Sequence, residues 1–242
     1  MSDLSCKLLV IGAGPGGYVT AIRAGQLGLD TIVVDGEALG GTCLNVGCIP
    51  SKALIHAADE FETATSHAKK NALGIRHSKP KIDIKQTIKW KNGVVNQLTT
   101  GVGSLLKKAK VRTVTGWASF IDGKTVSVKT DDGIVKISAE NICIASGSTS
   151  TELPHLPFGE NIMSSTDALA VDEIPDSLAV IGAGYIGLEL GMAYAKLGAK
   201  VSIVEREDRI LPIYDKALTK PVLARLKDLN IDLHLSADAP GY

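Results

Sequence analysis

The 242-residue chain carries no net charge, because 26 lysines and arginines balance 26 aspartates and glutamates. No strong field draws it to nucleic acid or to an anionic membrane, so a small molecule is the expected partner. Long apolar runs are also lacking. Leu8 to Ile11 is far too short to span a bilayer or act as a secretory signal, and no basic run precedes a long apolar stretch near Met1. Cytoplasm is the default expectation. Cysteine is scarce: four residues are too few for a secreted disulfide scaffold of this length. A cysteine pair in a reducing compartment is then expected to cycle rather than to staple. The length suits one or two domains with ample apolar content for a core.

Two of the four cysteines stand close together, in Gly40-Gly41-Thr42-Cys43-Leu44-Asn45-Val46-Gly47-Cys48-Ile49-Pro50-Ser51-Lys52. Pro50 suits the first turn of a helix, where its missing N–H costs nothing, so Cys48 sits at or just before a helix N-terminus. The partial positive charge there favours a thiolate, and Lys52, one turn on, adds a full charge. The glycines around Cys43 let the backbone turn tightly, so a disulfide between Cys43 and Cys48 is sterically feasible and would close a short loop. A zinc ligand pair and two buried structural cysteines are the other readings. A structural zinc site wants four ligands at short paired spacing, and no second Cys or His pair of that kind follows.

Val10-Ile11-Gly12-Ala13-Gly14-Pro15-Gly16-Gly17 follows an apolar strand and opens an Ala-rich helical stretch, and the strand Thr31 to Val34 then ends in Asp35. This is the layout of a dinucleotide-binding unit. Gly12 allows the tight turn, Gly14 lets pyrophosphate approach the backbone, Gly17 lets helix pack on strand, and Asp35 is placed for a ribose hydroxyl. The pattern returns 170 positions later as Val180-Ile181-Gly182-Ala183-Gly184-Tyr185-Ile186-Gly187, with Leu197-Gly198 matching Leu27-Gly28 and Glu205 matching Asp35. Ordinary βαβ packing does not explain two copies that agree in strand, helix, loop and terminal acid.

The cysteine segment closely resembles the redox-active disulfide motif of the flavoprotein disulfide reductases, with wording closest to the branch that oxidises dihydrolipoamide. The resemblance runs from about Leu8 to about Leu235. It implies an α/β fold of two Rossmann-like dinucleotide-binding domains with a small antiparallel β meander, an FAD-binding domain over 1–150 and an NAD-binding domain over 151–242. FAD would take the first glycine motif and Asp35, with Thr42 and Lys52 beside it. Backbone near Gly116 to Ala118 would approach its adenine, and Ser146-Gly147 would form a compact turn at the site. NAD would take Gly182, Gly184, Gly187 and Glu205. Tyr185 matches a position that covers the nicotinamide pocket in some relatives, although core packing is an equal reading. A carboxylate about 4 Å from a 2′-phosphate costs roughly 4 kcal/mol per charge at an effective dielectric near 20, so Glu205 favours NAD over NADP. Arg206 is able to accommodate such a phosphate, but neighbours at a strand end point opposite ways.

By the same resemblance the substrate dithiol attacks Cys43 and leaves Cys48 as a thiolate against the flavin, with Lys52 near the ring and paired to Glu189. The partners implied are lipoamide, on a lipoyl carrier domain of a 2-oxo acid dehydrogenase complex, and a second subunit in a homodimer. Other reductases of the superfamily, for glutathione, a related thiol or mercuric ion, are the alternative, as is a non-catalytic flavin- or nucleotide-binding fragment. Relatives use a His paired with a Glu five residues later in a C-terminal interface domain. His155 and Glu160 have that spacing in a Pro-rich linker without the flanking pattern, so the expectation is an N-terminal portion of a longer enzyme or a truncated product.

Elsewhere, Ser51 to about Lys70 and Ile82 to about Lys110 read as helices. Val111 to Ser138 reads as an antiparallel meander turning at Asp122-Gly123 and Asp132-Gly133. Asn141 to Ala145 reads as a separate strand returning to the first sheet, Glu152 to Gly159 as a linker, and Ile231 to Leu235 as an inner strand of the second sheet.

Overall fold

A computed structural model describes residues 3–68, 73–75, 78–159 and 161–239. His77 and Glu160 lie outside the described residues. Two compact units are formed, 1–50 with 93–149 and 51–92 with 150–242.

In the first unit β1 (Asp3–Ile11) leads through a glycine turn to α1 (Pro15–Gln26) and β2 (Thr31–Asp35). The short α2 (Gly41–Asn45) follows. The division between the units falls after residues 50 and 92, within α3 (Cys48–Ala68) and α4 (Ile84–Lys108). β3 (Arg112–Thr115), β4 (Trp117–Phe120), β5 (Thr125–Thr130) and β6 (Gly133–Ile144) complete a sheet of order β3-β2-β1-β6-β5-β4. β2 is buried along four of its five residues, as the run Thr-Ile-Val-Val requires of a parallel strand covered on both faces. Alternation sends Val10 and Val33 to one face, with Ala21 of α1 and Leu106 of α4. Leu9, Ile32 and Val34 go to the other, with Val126, Val128 and Ile137 of the antiparallel part.

Two expectations change here. β3 pairs parallel with β2, Asp35 opposite Thr115, and so belongs to the nucleotide-binding sheet, leaving β4-β5-β6 as the antiparallel meander. The expected strand at 141–145 is the far end of β6, whose twelve residues run antiparallel to β5 on one edge and parallel to β1 on the other, up to Ile11 opposite Ile144. A strand has two edges, and alternation in its own sequence does not say who occupies them. The turn at Asp122-Gly123 forms as expected, with Asp122 Oδ1 accepting from the N–H groups of Lys124 and Thr125, both at 2.8 Å.

The second unit repeats the first in smaller form: β7 (Ser177–Ile181), α5 (Tyr185–Leu197), β8 (Lys200–Val204), α6 (Lys216–Asp228) and β9 (Asp232–His234), in sheet order β7-β8-β9, all parallel. Among the described residues β9 has one strand neighbour, β8, as β3 has β2 in the first sheet. Leu54 and Ala58 of α3 join Leu188, Tyr194, Ile203 and Leu226 in one core, which explains why 51–92 groups with this unit. Among the described residues no helix is long and apolar enough to cross a membrane.

Candidate functional site

Both glycine turns have the geometry their sequences imply, and they have it twice. Gly12 and Gly182 both take φ +100°, a conformation costly for other residues. A methyl on Gly17 would fall 1.7 Å from the Gly12 carbonyl oxygen, and one on Gly187 would fall 2.3 Å from that of Gly182, so helix and turn meet at contact distance in each copy. Gly14 and Gly184 are extended N-caps of α1 and α5 with no side-chain cap. A methyl on Gly184 would meet nothing within 4 Å, and one on Gly14 only Gly41 Cα at 3.8 Å. Open space over a helix N-terminus with unused N–H groups is what a pyrophosphate needs.

The strand-end acids are tied in by matching bonds. Asp35 accepts from the N–H of Ala13 at 2.6 Å and of Glu37 at 2.9 Å; Glu205 accepts from Ala183 at 2.6 Å and Glu207 at 2.9 Å. Each carboxylate thus joins its glycine turn to the loop after its strand, and each oxygen keeps a lone pair for a ribose hydroxyl. The residues fit a dinucleotide in both places. Further backbone bonds repeat: Gly12 N–H to Val34 carbonyl and Gly182 to Val204, Gly40 to Ala13 and Leu211 to Ala183, Gly116 to Asp35 and Ala237 to Glu205. These last contacts, with Glu37 and Glu207, are not readable as motifs, because any residue but proline supplies a backbone N–H.

The Gly40–Ala13 bond fastens the cysteine segment to the first glycine turn. Gly41 packs there too, since a methyl on it would lie 2.5 Å from Gly14 Cα. Asn45 closes the loop from below, its Nδ2 donating to the carbonyls of Leu39 at 3.0 Å and Gly41 at 2.9 Å. Cys43 lies half-buried within α2 and Cys48, exposed, is the first residue of α3. Between them Gly47 sits against the Thr42 carbonyl, where a methyl would come within 2.9 Å, so the chain reverses tightly between the two sulfurs. Thr42 itself is exposed.

In the second unit Lys52 Nζ donates to both carboxylate oxygens of Glu189, at 2.9 and 2.8 Å. Seven residues further along each helix, Lys196 donates to Asp59 at 2.5 Å. Seven residues are two helical turns, so α3 and α5 run side by side in the same direction with two ion pairs in register. Lys196 is the better-covered cation, its side chain 10% exposed against 59% for Lys52. The 52/59 and 189/196 spacings of opposite charge were the signal for that second pair. The remaining expected residues lie at strand ends: Gly116 and Ala118 around the β3–β4 junction, Ser146 and Gly147 exposed after β6, and Tyr185 exposed at the first position of α5.

Two dinucleotide-binding folds in one chain, the first carrying a cysteine pair at its glycine turn, define a class of protein. The chain matches the family described as Pyridine nucleotide-disulphide oxidoreductase over residues 6–240 and belongs to it. Among individual proteins it is 55% identical over 239 residues to the dihydrolipoyl dehydrogenase of Pseudomonas aeruginosa, covering 98% of this chain and 52% of that one. It is 48% identical to the dihydrolipoyl dehydrogenase of Bacillus subtilis, covering 96% and 49%. A solved structure, the Cu(II) complex of the HOCl-induced flavoprotein disulfide reductase RclA from Escherichia coli, superposes with a TM-score of 0.83 at 27% identity, covering 98% and 50%. The chain spans about half the length of the curated relatives it matches.

Proposed function

We propose that the chain carries the FAD site, the redox-active cysteine pair and the NAD site of a dihydrolipoyl dehydrogenase. The observation that carries this reading is the bond from Gly40 to Ala13, which attaches the cysteine segment to a glycine turn built like a second one elsewhere in the chain. FAD, when bound at the first turn, supplies two-electron chemistry between the sulfurs and a nicotinamide.

The protein residues handle the rest. One thiolate of dihydrolipoamide attacks Cys43 Sγ, the Cys43–Cys48 bond breaks, and Cys48 leaves as a thiolate. The second substrate thiol attacks the sulfur bound to Cys43, closing the lipoamide disulfide and releasing Cys43; the substrate has lost two electrons and two protons, and the cysteine pair has gained the electrons. Cys48 at the first residue of α3 is held near that helix's positive end. Within the second unit Lys52 and Glu189 hold one another as a fixed charge pair. Glu205 selects NAD, since a 2′-phosphate beside it would meet a carboxylate already committed to two backbone N–H groups. Lipoamide presented on a carrier domain, a homodimer and a 2-oxo acid dehydrogenase complex belong to the same reading.

The test is a visible absorption spectrum of the chain reconstituted with FAD, before and after stoichiometric anaerobic reduction by a dithiol. A flavin spectrum that gains a long-wavelength thiolate-to-flavin band, absent in Cys48→Ser, is the expected result. Flavin bound without that band places the cysteines elsewhere and removes the proposal.

A further inference from the structure

The second strand-end acid is followed by a cation. Glu205 stands where an acid accepts from a ribose hydroxyl and disfavours a 2′-phosphate, and Arg206, the next residue, is of the type that accommodates that phosphate. Two opposed determinants of cofactor choice therefore stand side by side. They are held very differently. The Glu205 carboxylate is fixed by the N–H groups of Ala183 and Glu207, at 2.6 and 2.9 Å. The Arg206 side chain is 86% exposed, and its long stem gives the guanidinium a wide reach.

Beside that guanidinium stands Asp238, its Oδ1 4.0 Å from Arg206 Nε. Backbone bonds put it there. Glu205 N–H donates to the His234 carbonyl at 2.8 Å, Ser236 N–H to the Glu207 carbonyl at 2.9 Å and Ala237 N–H to the Glu205 carbonyl at 3.0 Å, with Ser236 turning at φ +50°. Beyond Asp238, the Ala239 carbonyl accepts from His155 Nε2 at 2.8 Å. Asp238 is thus anchored on both sides by its neighbours' backbone, and its short side chain cannot follow an arginine that swings away.

The first fold has no such pair. Gly116 donates to the Asp35 carbonyl as Ala237 does to that of Glu205, so Gly36 and Trp117 take the places of Arg206 and Asp238. There the Trp117 indole rests on Gly36, where a methyl would come within 2.6 Å of Cδ2. The charge pair belongs to the second site alone.

We infer that Asp238 is a positioning residue for cofactor choice: it holds the Arg206 guanidinium away from the 2′ position of the adenosine ribose and leaves the decision to Glu205. This rests on the reading of the second fold as an NAD site. The experiment titrates the chain, with FAD present to fill the first site, with two probes that differ by one phosphate, adenosine 5′-monophosphate and adenosine 2′,5′-bisphosphate. Binding is followed by calorimetry.

Asp238→Asn is expected to bind the bisphosphate about five-fold tighter than the parent, the change that one unit charge at about 4 Å makes in water, with the monophosphate unchanged. Adding Arg206→Gln to that variant should remove the whole gain, and raising the salt concentration should shrink it. Both side chains are exposed, so neither substitution should disturb the fold, which circular dichroism checks. An unchanged ratio of the two affinities in Asp238→Asn overturns the inference and leaves the site reading intact. A gain that survives Arg206→Gln does the same, because Asp238 then acts by its own charge and not through the arginine. A monophosphate that binds Glu205→Ala as tightly as the parent, or binds neither, overturns the site reading and the inference with it.

Discussion

The two nucleotide folds share a frame and differ in what surrounds it. Asp35 and Glu205 differ by a methylene, yet each accepts from the same two backbone positions at 2.6 and 2.9 Å. Around that frame the first turn is enclosed. A methyl on Gly12 would lie 2.1 Å from the Ala145 carbonyl oxygen, because β6 flanks β1 and its end is bonded back to Ile11. Gly182 has the same φ, and a methyl on it would meet nothing within 4 Å. β1 has neighbours on both edges; among the described residues β7 is paired on one. Identical local sequence therefore gives identical turns, while the strand next door decides how much room each turn has.

The largest expected effect separates those two causes. Gly12→Ala meets both an unfavourable φ and a fixed carbonyl, so it should destabilise by about 3 kcal/mol or more. Gly182→Ala meets the conformational cost alone, about 1–2 kcal/mol. Chemical denaturation of the two variants measures the difference, and equal losses would mean that enclosure by β6 contributes nothing.

A smaller effect tests the shared frame. Asp35→Asn and Glu205→Gln each leave one of two backbone N–H groups facing an NH2 donor in place of an acceptor oxygen, which should cost about 1–3 kcal/mol of stability in either fold. Nucleotide affinity should fall at the altered site alone: FAD for the first, NAD for the second. Loss of NAD affinity in Asp35→Asn would show that the folds are coupled.

The smallest effect concerns a place where the second fold departs from the first inside its helix. Tyr194 occupies in α5 the position of Ala24 in α1, and its hydroxyl donates to the Ala168 carbonyl at 2.5 Å. Lys91 donates to the adjoining Leu169 carbonyl at 2.7 Å. Two buried side chains thereby pin the 3₁₀ turn Asp167–Leu169 that precedes β7. Burial pushes the Tyr194 phenol up from 10 to about 12 and pulls the Lys91 ammonium down from its ordinary value. The folded chain binds the phenolic proton more tightly than the unfolded one, so the tyrosine's contribution is complete below pH 10 and is lost as pH rises towards 12. The lysine shift has the opposite sign, and its burial penalty eases as pH rises. Tyr194→Phe should cost about 1 kcal/mol at neutral pH and remove the tyrosine's share of the decline between pH 10 and 12. An unchanged alkaline unfolding profile would place Tyr194 outside this linkage.

Much of the site was legible in advance. The residues of both glycine turns carry their reasons locally: a positive φ, a helix that must touch a turn, a strand that ends in an acid. Cys48 was readable as a helix start from Pro50 alone, and α3 begins there. The parallel pairing of β3 and the double use of β6 were not, since alternation reports which face is buried but not which strand lies alongside. The seat of the Trp117 ring was not legible, for a related reason. Nothing near it in sequence shows that its ring rests on Gly36, 81 positions earlier.

The sequence by itself determined the two dinucleotide turns, their terminal acids, the helix-start placement of Cys48 and the family they define, because each depends on residue types within a few turns of backbone. Tertiary structure decided which of these groups meet. It brought Lys52 to Glu189 and Lys196 to Asp59 across 137 positions, closed the first glycine turn against β6 and the cysteine loop, and laid an indole over a glycine beside Asp35. Those contacts arise from how strands and helices pack, and packing is a property of the whole chain.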